Sequence, residues 1–112
     1  MAVSSMQLVD NISVGTTALV SQAVNMNGAN AIQSTVVVTS AGGATLTMAL
    51  EGSNDLSNWS TIAVGSNWTL IPAGYLAPTS VSGIAFQYVR LRFTASAAGP
   101  LICSAYLTTA ML

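Results

Sequence analysis

Charge is what this sequence has least of. Asp10, Glu51, Asp55, Arg90 and Arg92 are its only formally charged side chains, 4% of the chain, against about 25% in an ordinary soluble domain. It has no lysine and no histidine. General acid-base and nucleophilic chemistry rest on His, Lys, carboxylates or an activated Ser or Cys with a neighbouring base. With so few of these groups, the chain is expected not to be an enzyme. Two arginines are also too few for a nucleic-acid groove, which neutralises several phosphates at once. With a net charge of -1, little repulsion keeps copies apart, whereas soluble monomers usually carry charge on about a quarter to a third of their surface. Solvent-facing positions must be filled by Ser, Thr, Asn, Gln, Gly and Ala, or be covered by other protein.

Cysteine and long apolar runs are scarce as well. Cys103 is the single cysteine, so no intrachain disulfide can form. Its strand-face neighbours Leu101, Ala105 and Leu107 mark it as a buried thiol. Apolar residues make up 52% of the chain and mean hydropathy is +0.64. They nevertheless come in short groups broken by Ser, Thr, Gly or Asn, far from the ~18 to 20 residues a spanning helix needs. Two Trp, three Tyr and two Phe are too few for the aromatic girdles of an outer-membrane barrel. Residues 1–9 lack the positive region and continuous apolar core of a secretory signal.

What the chain does have is period-two alternation. Its 112 residues suit one domain, and strong helix signals are nearly absent. The pattern predicts an all-β, single-domain antiparallel β-sandwich or jelly roll of about seven or eight strands. Residues 1–10 are expected as an N-terminal arm and 11–112 as the sandwich. Strand patterns fall over Ile12 to Val20 and Gln22 to Met26, before the Asn27-Gly28 turn signal. Ile32 to Ser40 and Ala44 to Glu51, separated by Ala41-Gly42-Gly43, read as a hairpin. In the second of these, Leu46, Met48 and Leu50 are expected in the core. Trp59 to Val64 and Trp68 to Ile71 follow, and Pro72 and Pro78 punctuate a longer connection. Gln87 to Ala95 places Val89, Leu91 and Phe93 on one face and Tyr88, Arg90, Arg92 and Thr94 on the other; Leu101 to Thr109 closes the set.

The candidate interaction residues are Tyr88, Arg90, Arg92, Glu51, Asp55 and Trp68. Two arginines two residues apart share a strand face. They can grip a phosphate, a sugar or a neighbouring subunit's carboxylate, or bridge to Glu51 or Asp55 within one copy, and a salt bridge is the favoured reading. Glu51 and Asp55 with Asn54 form the chain's one oxygen-rich loop, but two carboxylates suit turn capping better than a calcium site. No cofactor and no metal are expected. Trp59 is assigned to the core, while Trp68, following an Asn-containing turn, is left open as a sugar-stacking platform. The sequons beginning at Asn11, Asn58 and Asn67 are attributed to composition.

Leu50-Glu51-Gly52-Ser53-Asn54-Asp55-Leu56-Ser57-Asn58-Trp59, together with Phe86-Gln87-Tyr88-Val89-Arg90-Leu91-Arg92-Phe93-Thr94-Ala95 and Ser104-Ala105-Tyr106-Leu107, resembles the skeleton of small β-sandwich structural proteins of bacteriophage virions. Discoidin-like sugar-binding modules share a similar skeleton. The resemblance spans Leu46 to Leu107 and implies a structural subunit of a virion; the near absence of charge leaves a repeating subunit of an extracellular assembly as the other form of the same expectation. The expected function is therefore self-assembly, as a capsid or decoration subunit or a filament repeat, with homo-oligomer, capsid or filament neighbours as partners. The alternative is a carbohydrate-binding module using Trp68, Tyr75 and the Asn-rich turns.

Overall fold

The computed structural model describes residues 3–40, 43–62, 68–69, 71–97 and 101–111. Nine strands run through them: β1 (Val3–Val14), β2 (Leu19–Val20), β3 (Val24–Asn25), β4 (Ala31–Ser40), β5 (Leu46–Ser53), β6 (Ser60–Ile62), β7 (Gly74–Val81), β8 (Tyr88–Ala95) and β9 (Leu101–Ala110). They form two antiparallel sheets. Sheet A has the order β1-β9-β4-β7, and sheet B the order β2-β8-β5-β6, with β3 also on β8. The protein is thus a single-domain antiparallel β-sandwich. Its strand count exceeds the predicted seven or eight because the run read as one strand over Ile12 to Val20 holds the end of β1 and, separately, β2, and because β7 occupies the stretch read as a connection.

Alternation explains the core. Met48 and Leu50 of β5 lie opposite Phe93 and Leu91 of β8 in the paired strands, and with Leu46 and Val89 all six are buried. Sheet A closes over them with Val36 and Val38 of β4 and with Leu101, Cys103, Ala105 and Leu107 of β9. Burial raises the Cys103 thiol to about 11, so it stays protonated and inert at neutral pH. Gly52 lies so close against the Phe86 ring that a Cβ there would collide with it, which explains a glycine inside a strand.

Several sequence expectations change. β4 and β5 are not a hairpin: β4 pairs with β7 and β9, whereas β5 pairs with β6 and β8 in the other sheet. An apolar strand, a Gly-rich break and a second apolar strand look the same whether the chain doubles back or crosses the sandwich. The true hairpin is β5–β6. Residues Ala41 and Gly42 of the expected turn lie outside the described residues, as do Ala63 and Val64, Asn67, Leu70 and the 98–100 segment.

The expected arm proves to be a strand of sheet A. Val3 to Asp10 belong to β1, which pairs with β9 from Val3↔Ala110 to Val14↔Leu101. Two irregularities hid the strand. Leu8 has no partner between Gln7 and Val9, and Asp10 and Asn11 together oppose Ser104. Asn11 adopts a φ of 49° there, which Asn tolerates better than most residues. Its N–H donates to Ser104 Oγ at 2.9 Å.

The supposed Pro72–Pro78 connection likewise contains β7, an edge strand on β4. Ser34 pairs with Thr79 and Val36 with Leu76, so Ala77 and Pro78 bulge opposite Thr35. Proline is tolerated at such an edge bulge because it has no N–H to give the ladder. Trp68 and Ile71 do not form a strand either; Ile71 makes a single bridge to Leu46.

Candidate functional site

The antiparallel register of β5 and β8 sets Glu51 directly opposite Arg90 and Ala49 opposite Arg92. With Leu50 and Leu91 turned inward, these charged side chains all project from the outer face of sheet B. Arg90 Nε donates to Glu51 Oε1 at 2.8 Å, and Arg92 Nη1 stands 3.6 Å from Glu51 Oε2. The Glu51 side chain is 7% exposed, that of Arg90 23% and that of Arg92 51%. One buried carboxylate is thus shared by an inner arginine held close and an outer one reaching water.

Trp59 completes the cluster. It follows the β5–β6 turn, donates its indole N–H to Leu56 O at 3.3 Å, and carries the Arg90 guanidinium 4.0 Å above its ring centroid. Such stacking restricts the guanidinium to one plane and adds a cation–π attraction. Tyr88 lies two residues before Arg90 on the same face, half-buried, opposite Ser53.

Asp55 belongs elsewhere. Its Oδ1 accepts from Ser53 Oγ at 3.0 Å and from the N–H groups of Ser57 at 2.9 Å and Asn58 at 2.8 Å, and its Oδ2 accepts from Asn58 Nδ2 at 2.7 Å. Ser53 Oγ in turn accepts from the N–H of Leu56 at 2.9 Å, steadying a residue whose φ is 65°. Asn54 Oδ1 accepts from the N–H of Gln87 at 3.0 Å and ties the turn to the approach to β8. Glu51 and Asp55, adjacent enough in sequence to suggest a carboxylate pair, therefore serve different partners.

The hydrogen bonds from Asn58, first through its backbone and then its side chain, followed by those from Ser57 and Ser53, hold the Asp55 carboxyl well below its ordinary value of 3.8. A depressed folded-state pKa contributes stability that is complete above the unfolded value and is lost as pH falls through the folded one. The urea midpoint is therefore expected to drop as pH is lowered from about 5.5 to 2.5. Asp55→Asn should start lower at pH 5.5 and fall less, measured by fluorescence-detected unfolding at each pH.

The two tryptophans exchange their expected places. Trp68 is fully buried in the core, whereas Trp59, assigned to the core from sequence, lies half-buried at the surface beneath Arg90. The platform suggested for sugar stacking at Trp68 is closed to solvent. Tyr75 is open, at 64% exposure, but it sits on β7 of the opposite sheet. A shallow cleft of about 450 Å³, lined by Asn30, Asn54, Phe86 and Gln87 among others, lies near the β5–β6 turn and holds no titratable side chain.

The arginine cluster was legible as a pair two residues apart, but its aromatic partner was not. Trp59 precedes Ser60, the partner of Gly52, and only the hairpin register brings it beneath Arg90. Chemically, the cluster is an anchored ion triad with one guanidinium half in water. Among the described residues no helix is long and apolar enough to cross a membrane. The chain matches no protein-family model and no curated protein.

Proposed function

We propose that the protein is a structural subunit that assembles by packing against copies of itself, as the subunits of a virion shell, a capsid decoration or an extracellular filament do. The carrying observation is how few charges the folded surface displays. Glu51 is buried and Arg90 is engaged by Glu51 and Trp59, which leaves Asp10, Asp55 and Arg92 as the exposed charged side chains. Three charges spread over one domain offer little electrostatic resistance to self-contact.

The edges indicate how such contact is made. β1 carries bulges and Asp10 at its rim, and β7 carries Pro78 in a bulge. At the edges of sheet B, β2, β3 and β6 span two or three residues each. Short strands, bulges, proline and an edge charge all oppose the addition of a foreign strand. The bulges among these guards are invisible to composition. Packing between sheet faces is the route that remains.

Electron microscopy of the purified protein at micromolar concentration tests this reading. Regular particles, filaments or uniform oligomers are expected. Dispersed single copies at high concentration would overturn it.

A further inference from the structure

Resting on that reading, we infer that the outer face of sheet A is a self-docking face, which packs against the same face of a second copy about a two-fold axis. The four strands of this sheet contain one charged residue, Asp10, at the bulge of the outermost strand. Every outward position nearer the middle is neutral. Sheet B, by contrast, carries Glu51, Arg90 and Arg92 on its outer face.

A two-fold interface sets each patch against itself, so any net charge near its centre meets its own sign. The face of sheet B would bring Arg92 towards Arg92. The face of sheet A brings together hydroxyl, amide, aliphatic and phenol groups, which meet their own kind without like-charge repulsion. It is self-complementary in charge, and the second copy is the partner it fits.

Its centre has the composition that interfaces favour. Tyr106 of β9 lies opposite Thr35 of β4, and Tyr75 of β7 lies opposite Val37 of β4. The two tyrosines thus flank β4 on either side, 40% and 64% exposed. Tyr106 OH is partly fixed by Gln7 Nε2, which donates to it at 3.3 Å. Tyrosine gives large contact area for little lost conformational freedom, and charge is depleted at interface centres.

The area is adequate. Four strands about 4.8 Å apart, each contributing about eight residues at about 3.3 Å, present roughly 19 by 26 Å. Two such faces cover about 1,000 Å² in projection, which reaches the size a specific interface needs.

Sedimentation velocity of the wild type beside Val37→Lys, Thr35→Lys and Thr47→Lys tests the inference. Val37 and Thr35 point outward from sheet A, while Thr47 is exposed on sheet B. The two sheet A variants, with wild-type circular dichroism, are expected to weaken self-association by about 100-fold, because like charges meet across the axis. Thr47→Lys should assemble as the wild type does. Hydroxyl-radical footprinting of the unaltered protein adds a readout independent of variant folding. Protection of Tyr75 and Tyr106, and not of Trp59, is expected to rise with concentration. Folded sheet A variants that assemble normally, dissociation caused by Thr47→Lys, or protection at Trp59 alone would overturn the two-fold face while leaving self-assembly intact. A wild type that stays monomeric would overturn the self-assembly reading itself.

Discussion

Trp68→Ala is expected to remove about 3–5 kcal/mol of folding stability, a large share of the roughly 5–15 kcal/mol available to a domain of this size. Trp68 is fully buried and has the largest side chain in the core, where it belongs to the same apolar cluster as Leu46, Phe93 and Ile71. Deleting it costs both transfer free energy and a cavity that the two hydrogen-bonded sheets cannot easily close. Trp68→Phe should be much milder, about 1–2 kcal/mol. The indole Nε1 is buried without a hydrogen-bond partner among the described residues, and phenylalanine removes that unsatisfied donor along with some volume. Urea unfolding followed by circular dichroism separates the two cases. A Trp68→Ala protein as stable as the wild type would contradict the core assignment and reopen Trp68 as a binding residue.

Glu51→Ala is expected to cost about 2–4 kcal/mol, towards the lower end of what breaking a buried ion pair costs, because both arginines keep some contact with water. Without the carboxylate, Arg90 and Arg92 stand two residues apart on one face with no intervening negative charge. Arg90 also remains held over Trp59. Arg92→Ala should matter far less, under about 1 kcal/mol, since its pairing is long and half in solvent. Replacing Glu51 and Arg90 together by Leu and Met should recover most of the loss, as well-packed apolar pairs often match buried ion pairs. Chemical denaturation of the four proteins reads these differences directly. Equal destabilisation by Glu51→Ala and Arg92→Ala would contradict the unequal roles of the two arginines.

Within sheet A and sheet B alike the central strands were visible from period-two alternation, whereas both edges of sheet A were not. Val89, Leu91 and Phe93 in β8, and Leu101, Cys103, Ala105 and Leu107 in β9, follow it without interruption, and all are buried. β1 breaks it twice. Leu8 and the Asp10-Asn11 pair shift the register, so a twelve-residue strand reads as an irregular arm. Pro78 similarly disguised β7. Which sheet a strand joins is decided by long-range pairing, and nothing local to Thr39 or Ala44 distinguishes a hairpin from a crossing between sheets.

The candidate site divides along the same line. That Arg90 and Arg92 share a face follows from spacing alone. That Glu51 is their partner, and Asp55 is not, depends on the Glu51↔Arg90 register and on the turn donors that claim Asp55. The exchange of roles between Trp59 and Trp68 has no local signal, because both follow an asparagine and either could have been turned inward. The neutrality of sheet A was already present in composition. Its concentration on one face, with the five charges divided among sheet B, a turn and an edge bulge, emerged only from topology.

Sedimentation velocity of the wild-type chain from about 1 to 100 μM, at low salt and in about 1 M sodium chloride, tests self-assembly through neutral faces most directly. Species heavier than the 11.4 kDa monomer are expected to grow with concentration and to persist in high salt, because screening weakens charge pairing and leaves neutral packing intact. A single 11.4 kDa species throughout, or assemblies that dissolve in high salt, would contradict it.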